Sequence, residues 1–189
     1  MTHLGVAIFG LLLAVAPQPP SVGQPVPDFT AVDEMGVQHH LSQYRGHAVV
    51  LEWTNPECPF VERHYKADTM ERLAKVLGAK DVVWLAVNST YSNTPADTRA
   101  WKAEQGFAYP TLQDADGTLG HLLGARTTPH MFVIDSEGVL RYRGAIDDDP
   151  YGESEKPLNY TDAAVTALLA DSSPNPSETR SYGCSVKYK

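Results

Sequence analysis

Two residues of this chain can act as sulfur nucleophiles, Cys58 and Cys184, and their settings differ. Cys58 follows the apolar run Ala48 to Trp53, which has strand character, and the polar turn Thr54-Asn55-Pro56-Glu57. Pro59 comes directly after it and suits the first position of a helix, where a missing N–H costs nothing. A cysteine at such a strand-to-helix junction meets unpaired N–H groups and the positive end of the helix dipole. Both favour the thiolate and lower the thiol pKa towards neutrality. The junction therefore predicts a reactive thiol, against the plainer alternative of a small buried hydrophobe. Cys184 lies in the closing Ser181-Tyr182-Gly183-Cys184-Ser185-Val186-Lys187-Tyr188-Lys189, where the plain reading is a free thiol on a frayed tail.

Other side chains could serve that thiol. Glu52 sits six positions before Cys58 among Val49, Val50, Leu51 and Trp53. Buried there, its carboxyl would have a raised pKa, whereas at a solvated strand end it would be ordinary. Glu57, beside Cys58, opposes the helix dipole slightly if exposed. Pro129 after Thr128 marks the entrance to the run Met131 to Ile134, because proline cannot supply a ladder donor inside a central strand. His130 with a single loop cysteine is a poor copper set. Asp147-Asp148-Asp149-Pro150 lacks the spaced ligands of a calcium loop and reads as a solvated turn. No metal and no cofactor is expected.

In order and spacing these pieces resemble the thioredoxin-like redoxins, the group holding the thioredoxins and the alkyl hydroperoxide reductase/thiol-specific antioxidant family. The likeness runs from about Val22 to Ile146 and rests on Val26-Pro27-Asp28-Phe29, Leu41-Ser42 to Gly46, Cys58-Pro59-Phe60-Val61, and Thr128-Pro129 before Met131-Phe132-Val133-Ile134-Asp135. It implies that Cys58 is the active thiol and that Glu52 moves protons for it. It implies also a cis Thr128–Pro129 bond against the cysteine, with the Thr128 backbone free to pair with an extended substrate segment.

The chain departs from the family at one point. Asn55 and Val61 stand where thioredoxin-like reductases carry their second cysteine. The ending resembles a Gly-Cys-x-hydrophobic-Lys tail found on redoxins with a Cys-Pro-(Phe/Tyr)-Val turn, which makes Cys184 the internal candidate for the missing partner. An extended tail from Ala170 spans up to about 45 Å, so reach does not forbid contact. A resemblance to peroxiredoxins would give Thr54 and Arg126 the task of polarising a peroxide. Thr54 lies four rather than three residues before Cys58, and Arg126 stands before the Thr128-Pro129 loop. The bland alternatives are a turn hydroxyl and a surface cation.

The elements that must position these residues follow from periodicity. Asp28–Asp33 and Val37–Leu41 read as strands of an N-terminal hairpin around Glu34-Met35-Gly36. A helix is predicted from Pro59 to about Leu77, buried through Phe60, Ala67, Met70, Leu73, Ala74 and Leu77. Asp81–Asn88 has the continuous apolar centre of a strand covered on both faces. A helix capped by Thr94 and running through Gln105 follows, with Ala100, Trp101 and Glu104 inward. A strand over Phe107–Leu112, a helix over Thr118–Leu123, a hairpin of Met131–Ile134 with Val139–Ile146, and a helix over Asp162–Ala170 complete the pattern. The order predicts an α/β fold, a thioredoxin-like three-layer α/β/α sandwich with a mixed sheet, an N-terminal β-hairpin extension and an extended C-terminal tail.

Length and charge bound the function. A chain of 189 residues, 42% hydrophobic, holds one well-buried domain. A net charge of -8 argues against nucleic acid and gives no attraction to an anionic membrane. Residues 1–16 read as an export signal, with the apolar run Leu4–Ala16 and the small-x-small Ala14-Val15-Ala16. The early region lacks Lys and Arg, and Pro17 hinders cutting after Ala16, so later cleavage or an uncleaved anchor stays open; that segment is the only route to a membrane. The expected division is leader and linker over 1–23, redoxin domain over 24–170, and a flexible tail over 171–189. Three functions stay open. The first is an exported thiol–disulfide oxidoreductase acting on protein or small-molecule disulfides with an external thiol as reductant. The others are a thiol peroxidase, and a non-enzymatic module stapled by Cys58–Cys184.

Overall fold

The computed structural model describes residues 18–189, so the expected export signal lies outside the described residues. The elements run β1 (Thr30–Asp33), β2 (Gln38–His40), a 3₁₀ turn (Leu41–Tyr44), β3 (Val49–Trp53), α1 (Pro59–Lys66), α2 (Thr69–Gly78), β4 (Val83–Asn88) and α3 (Pro95–Gln105). Then come β5 (Thr111–Gln113), α4 (Thr118–Leu123), β6 (Thr127–Thr128), β7 (His130–Ile134), β8 (Leu140–Gly144), α5 (Tyr160–Leu169) and β9 (Cys184–Ser185). Seven strands form one mixed sheet in the order β2-β1-β5-β4-β3-β7-β8, and β6 pairs with β9 apart from it.

β3 lies at the centre, parallel to β4 and antiparallel to β7. Its residues are all buried, because both faces of the sheet are covered. Val50 packs into a cluster with Val61, Tyr65, Met70 and Leu77 of α1 and α2 and Val165 of α5. Val49, Leu51 and Trp53 face the opposite cluster, with Leu119 and Leu123 of α4 and Val26, Phe29 and Leu41. The alternation along β3 thus assigns the two core faces, and Glu52 shares a face with Val50.

The helix after Cys58 is broken, where continuous periodicity was expected. Asp68 takes a left-handed conformation at φ 55°, which aspartate tolerates better than most residues, and separates α1 from α2. The break resets the buried stripe to Val61, His64 and Tyr65, then Met70, Leu73 and Leu77, and leaves Ala67 exposed. On α3, Thr98 and Trp101 turn inward, while Ala100 and Glu104 face water.

The stretch expected to be a linker and the one expected to be a flexible tail are both fastened down. The proline-rich entry lies along β8: Gly23 N–H donates to Leu140 O at 2.7 Å, Val26 N–H to Gly138 O at 2.9 Å, and Leu140 N–H to Gln24 O at 3.0 Å. Prolines lack donors, but the residues between them supply enough to continue an edge. The C-terminal stretch is likewise not a free tail. Thr179 Oγ1 meets Tyr142 Oη at 2.6 Å and accepts from Ala145 N–H at 2.9 Å. Val186 N–H donates to Arg126 O at 3.1 Å, and Tyr91 N–H to Lys187 O at 3.2 Å. Tyr188 stacks on His121 with ring centroids 4.2 Å apart and donates to Ala125 O at 2.9 Å. Gly120 makes room for that ring, since a Cβ there would lie 2.2 Å from Tyr188 Oη. Composition marked this stretch as polar, but its polar groups find main-chain partners and its tyrosines find notches.

Candidate active site

Cys58 caps the N-terminus of α1, with Pro59 in the first turn as expected. The preceding turn is closed by Cys58 N–H donating to Asn55 O at 3.0 Å and Glu57 N–H donating to Asn55 Oδ1 at 3.0 Å. The Cys58 side chain is fully buried, and its thiol donates to Thr128 O at 2.9 Å. The Thr128–Pro129 bond is cis.

Cys184 is brought to the same place by β9. The strand pairs antiparallel with β6, Thr128 opposite Cys184 and Thr127 opposite Ser185. Gly183 makes the approach feasible: its φ is +112°, and a Cβ there would lie 2.1 Å from Thr128 O. Both cysteines are free thiols, Cys58 buried and Cys184 half-buried. Burial pushes the Cys58 thiol up. The Cys184 side chain, Thr128, and the N–H groups of Val61 and Cys184 more than offset it, so the thiol ends below its ordinary value. The Thr128 hydroxyl is buried without a partner, a donor available to a thiolate. Burial and the neighbouring Cys58 push Cys184 the other way, up to about 11, with Lys187 opposing. Cys58 is thus the better nucleophile of the two.

Of the two settings open to Glu52, the structure has the buried one. Glu52 Oε1 accepts from Tyr65 Oη at 2.9 Å, and Oε2 accepts from Trp84 Nε1 at 2.9 Å and Tyr109 Oη at 3.2 Å. Burial raises its pKa to about 7, against the three donors. A carboxyl that changes protonation near neutrality, packed behind the element that carries Cys58, is suited to storing or releasing a proton. Thr54 is buried with its Oγ1 unpartnered in the turn before Cys58. Arg126 is exposed on the wall of a cavity that Cys58 does not line.

One network was not anticipated. His64 on α1 is buried, with Nε2 2.8 Å from Tyr182 Oη and 2.9 Å from an Arg63 guanidinium nitrogen. Tyr182 donates to Asp147 Oδ1 at 2.5 Å, and Arg63 to Asp149 O at 2.7 Å. Burial and Arg63 hold His64 down to about 3, so it is neutral and its 4.0 Å approach to Asp147 is no ion pair. Burial raises Asp147 above the usual carboxylate range, with the Tyr182 hydroxyl opposing. The network fixes Tyr182, two residues before Cys184, to α1 and to the loop after β8. Its sequence signal is weak, because the three parts lie on distant stretches. Among the described residues no cluster of three or more His, Cys, Asp or Glu could hold a metal.

The sheet order, the cysteine at the N-terminus of α1 and the Thr128-Pro129 loop against it define a thioredoxin-like redoxin. Residues 22–143 match the AhpC/TSA family, and the chain belongs to it. It is 30% identical over 143 residues to the thiol:disulfide interchange protein DsbE of Escherichia coli K12, covering 72% of this chain and 73% of that one. It is 27% identical over 121 residues to the thiol-disulfide oxidoreductase ResA of Geobacillus thermodenitrificans, covering 64% and 67%. The crystal structure of a hypothetical protein from Sinorhizobium meliloti 1021 superposes with a TM-score of 0.81 at 25% identity, covering 91% of this chain and 97% of the other.

Proposed function

We propose that this chain is an exported thiol–disulfide oxidoreductase whose redox couple is Cys58 and Cys184. The observation that carries the reading is the β6–β9 pairing, which sets Cys184 opposite the residue whose carbonyl accepts the Cys58 thiol. The kinship with DsbE and ResA supports the reaction class. The Cys58 thiolate attacks one sulfur of a disulfide, and the other sulfur leaves as a thiolate. Cys184, losing its proton, then attacks the Cys58 sulfur of the mixed disulfide. The second substrate thiolate departs, and a Cys58–Cys184 disulfide remains. Glu52 supplies or accepts the protons that these steps exchange. An external thiol reduces the pair and closes the cycle. Because β9 covers Cys58, the tail strand leaves β6 for the first attack and returns for the second.

Reaction of the Cys184→Ser protein with a small disulfide tests this. A stable adduct on Cys58, seen by intact mass, is the expected result. Release of both thiols from one equivalent of the disulfide by that variant, without added thiol and as fast as by the natural protein, would overturn the resolving role of Cys184. Peroxide reduction is the second reading, favoured by the buried, unpartnered Thr54 hydroxyl in the turn before Cys58. Peroxide consumption faster than that of a small-molecule thiol, abolished by Cys58→Ser, would put it first. The reduction potential separates both from a permanent staple, which would lie below about −300 mV.

A further inference from the structure

Beside β6, on the far side of the tail from Tyr182, lies a cavity of about 610 Å³ lined by Arg126, His130, Arg143, Arg180 and Ser181. Three arginines line it in a chain of net charge -8. Glu178 is the one carboxylate on the wall, and it is taken by Arg143, whose Nε lies 3.0 Å from Glu178 Oε1. Arg143 also donates to Pro20 O at 3.3 Å. Arg126 and Arg180 are exposed, and neither side chain bonds to an acceptor among the described residues. His130 adds a neutral donor. Its Nδ1 accepts from Arg126 N–H at 3.2 Å, which leaves the ring proton on Nε2. Burial, with Arg143 and Arg126 nearby, holds the ring neutral at about 3, so it lends direction rather than charge.

We propose that this cavity is a binding site for a small oxyanion, a phosphate group or a pair of carboxylates, held between Arg126 on the body and Arg180 on the tail. Guanidinium forks match both kinds of oxyanion, and two unbalanced cations suit a dianion. The placement has a consequence for Cys58. Arg180 lies between the Thr179 anchor and Tyr182, whereas Arg126 precedes β6, so one bound oxyanion ties the strap to the body. The ligand therefore slows release of β9 and shields Cys58. The site depends on charge and shape and not on redox turnover, so it stands or falls apart from the proposed activity.

Titration calorimetry on the full reduced chain tests it, with inorganic phosphate and succinate as probes in chloride buffer of fixed ionic strength. Saturable binding of either probe is expected, weakened about tenfold or more by Arg126→Ala and by Arg180→Ala. Phosphate alone binding would mark a phosphate site, and succinate alone a dicarboxylate site. No saturable heat with either probe up to about 10 mM, or binding unchanged in both variants, would overturn the proposal. Circular dichroism checks that the variants are folded, which their exposed positions favour. Iodoacetamide labelling of Cys58, read by peptide mapping, should slow severalfold with bound ligand in the natural protein and not in Arg180→Ala. A labelling rate unmoved by saturating ligand would refute the link to the strap.

Discussion

At the scale of single residues the proposed site joins two thiols held at different acidities to one buried carboxyl, Glu52. Glu52 offers a measurable consequence. Its pKa of about 7 in the folded chain exceeds its ordinary value near 4.5, so the folded state binds more protons than the unfolded state between those limits. Stability therefore falls as pH rises from about 4.5 to 7 and levels off above, a change on the order of 3 kcal/mol from this group. Glu52→Gln should flatten that slope in urea unfolding followed across the range. An unchanged slope would show that the carboxyl does not carry the proton. The offset of Glu52 from Cys58 was legible in the sequence, but its burial was not, because Tyr65, Trp84 and Tyr109 come from α1, β4 and the loop before β5.

At the scale of elements, the informative piece is the two-residue strand β9. Sequence reasoning found the cysteine and its reach but expected a loose polar tail. Anchoring by Tyr182 and Tyr188 depends on notches in α1 and α4 that no local pattern announces. Tyr182→Phe removes the hydroxyl that serves Asp147 and His64, leaving a buried carboxylate short of a donor at about 1–3 kcal/mol. We expect Cys58 in that variant to alkylate about tenfold faster or more, while far-UV circular dichroism stays the same. Gly183→Ala should act alike by another cause, since its Cβ has no room beside Thr128 O and φ is positive. If Cys58 labels at the natural rate in both variants, β9 is not its cover. By contrast, the break at Asp68 lay within the reach of sequence alone, because an aspartate between two apolar-periodic runs is a tolerable left-handed residue.

Over the whole molecule, the proposed Cys58–Cys184 disulfide is tied to docking of the tail. The fold class was readable because strand, turn and helix signals agree along the central β3-α1-β4 unit. The coupling was not, since it depends on where residues 177–188 lie on the finished surface. With both thiols reduced, the docked strap already holds Cys184 beside Cys58, so forming the bond requires little further ordering. That favours the disulfide and lowers the reduction potential of the pair. A variant that undocks the strap, such as Tyr182→Phe, lets the reduced chain relax, whereas the oxidised chain stays tethered and bears the lost contacts. The reduced form gains relative to the oxidised one, and the potential rises by about 30 mV for each 1.4 kcal/mol of docking that the reduced chain no longer has to satisfy. Equilibration of natural and Tyr182→Phe proteins against a dithiothreitol redox series should show this upward shift alongside the faster Cys58 labelling. Labelling that accelerates while the potential stays fixed would mean that the strap shields Cys58 without setting the poise of the pair.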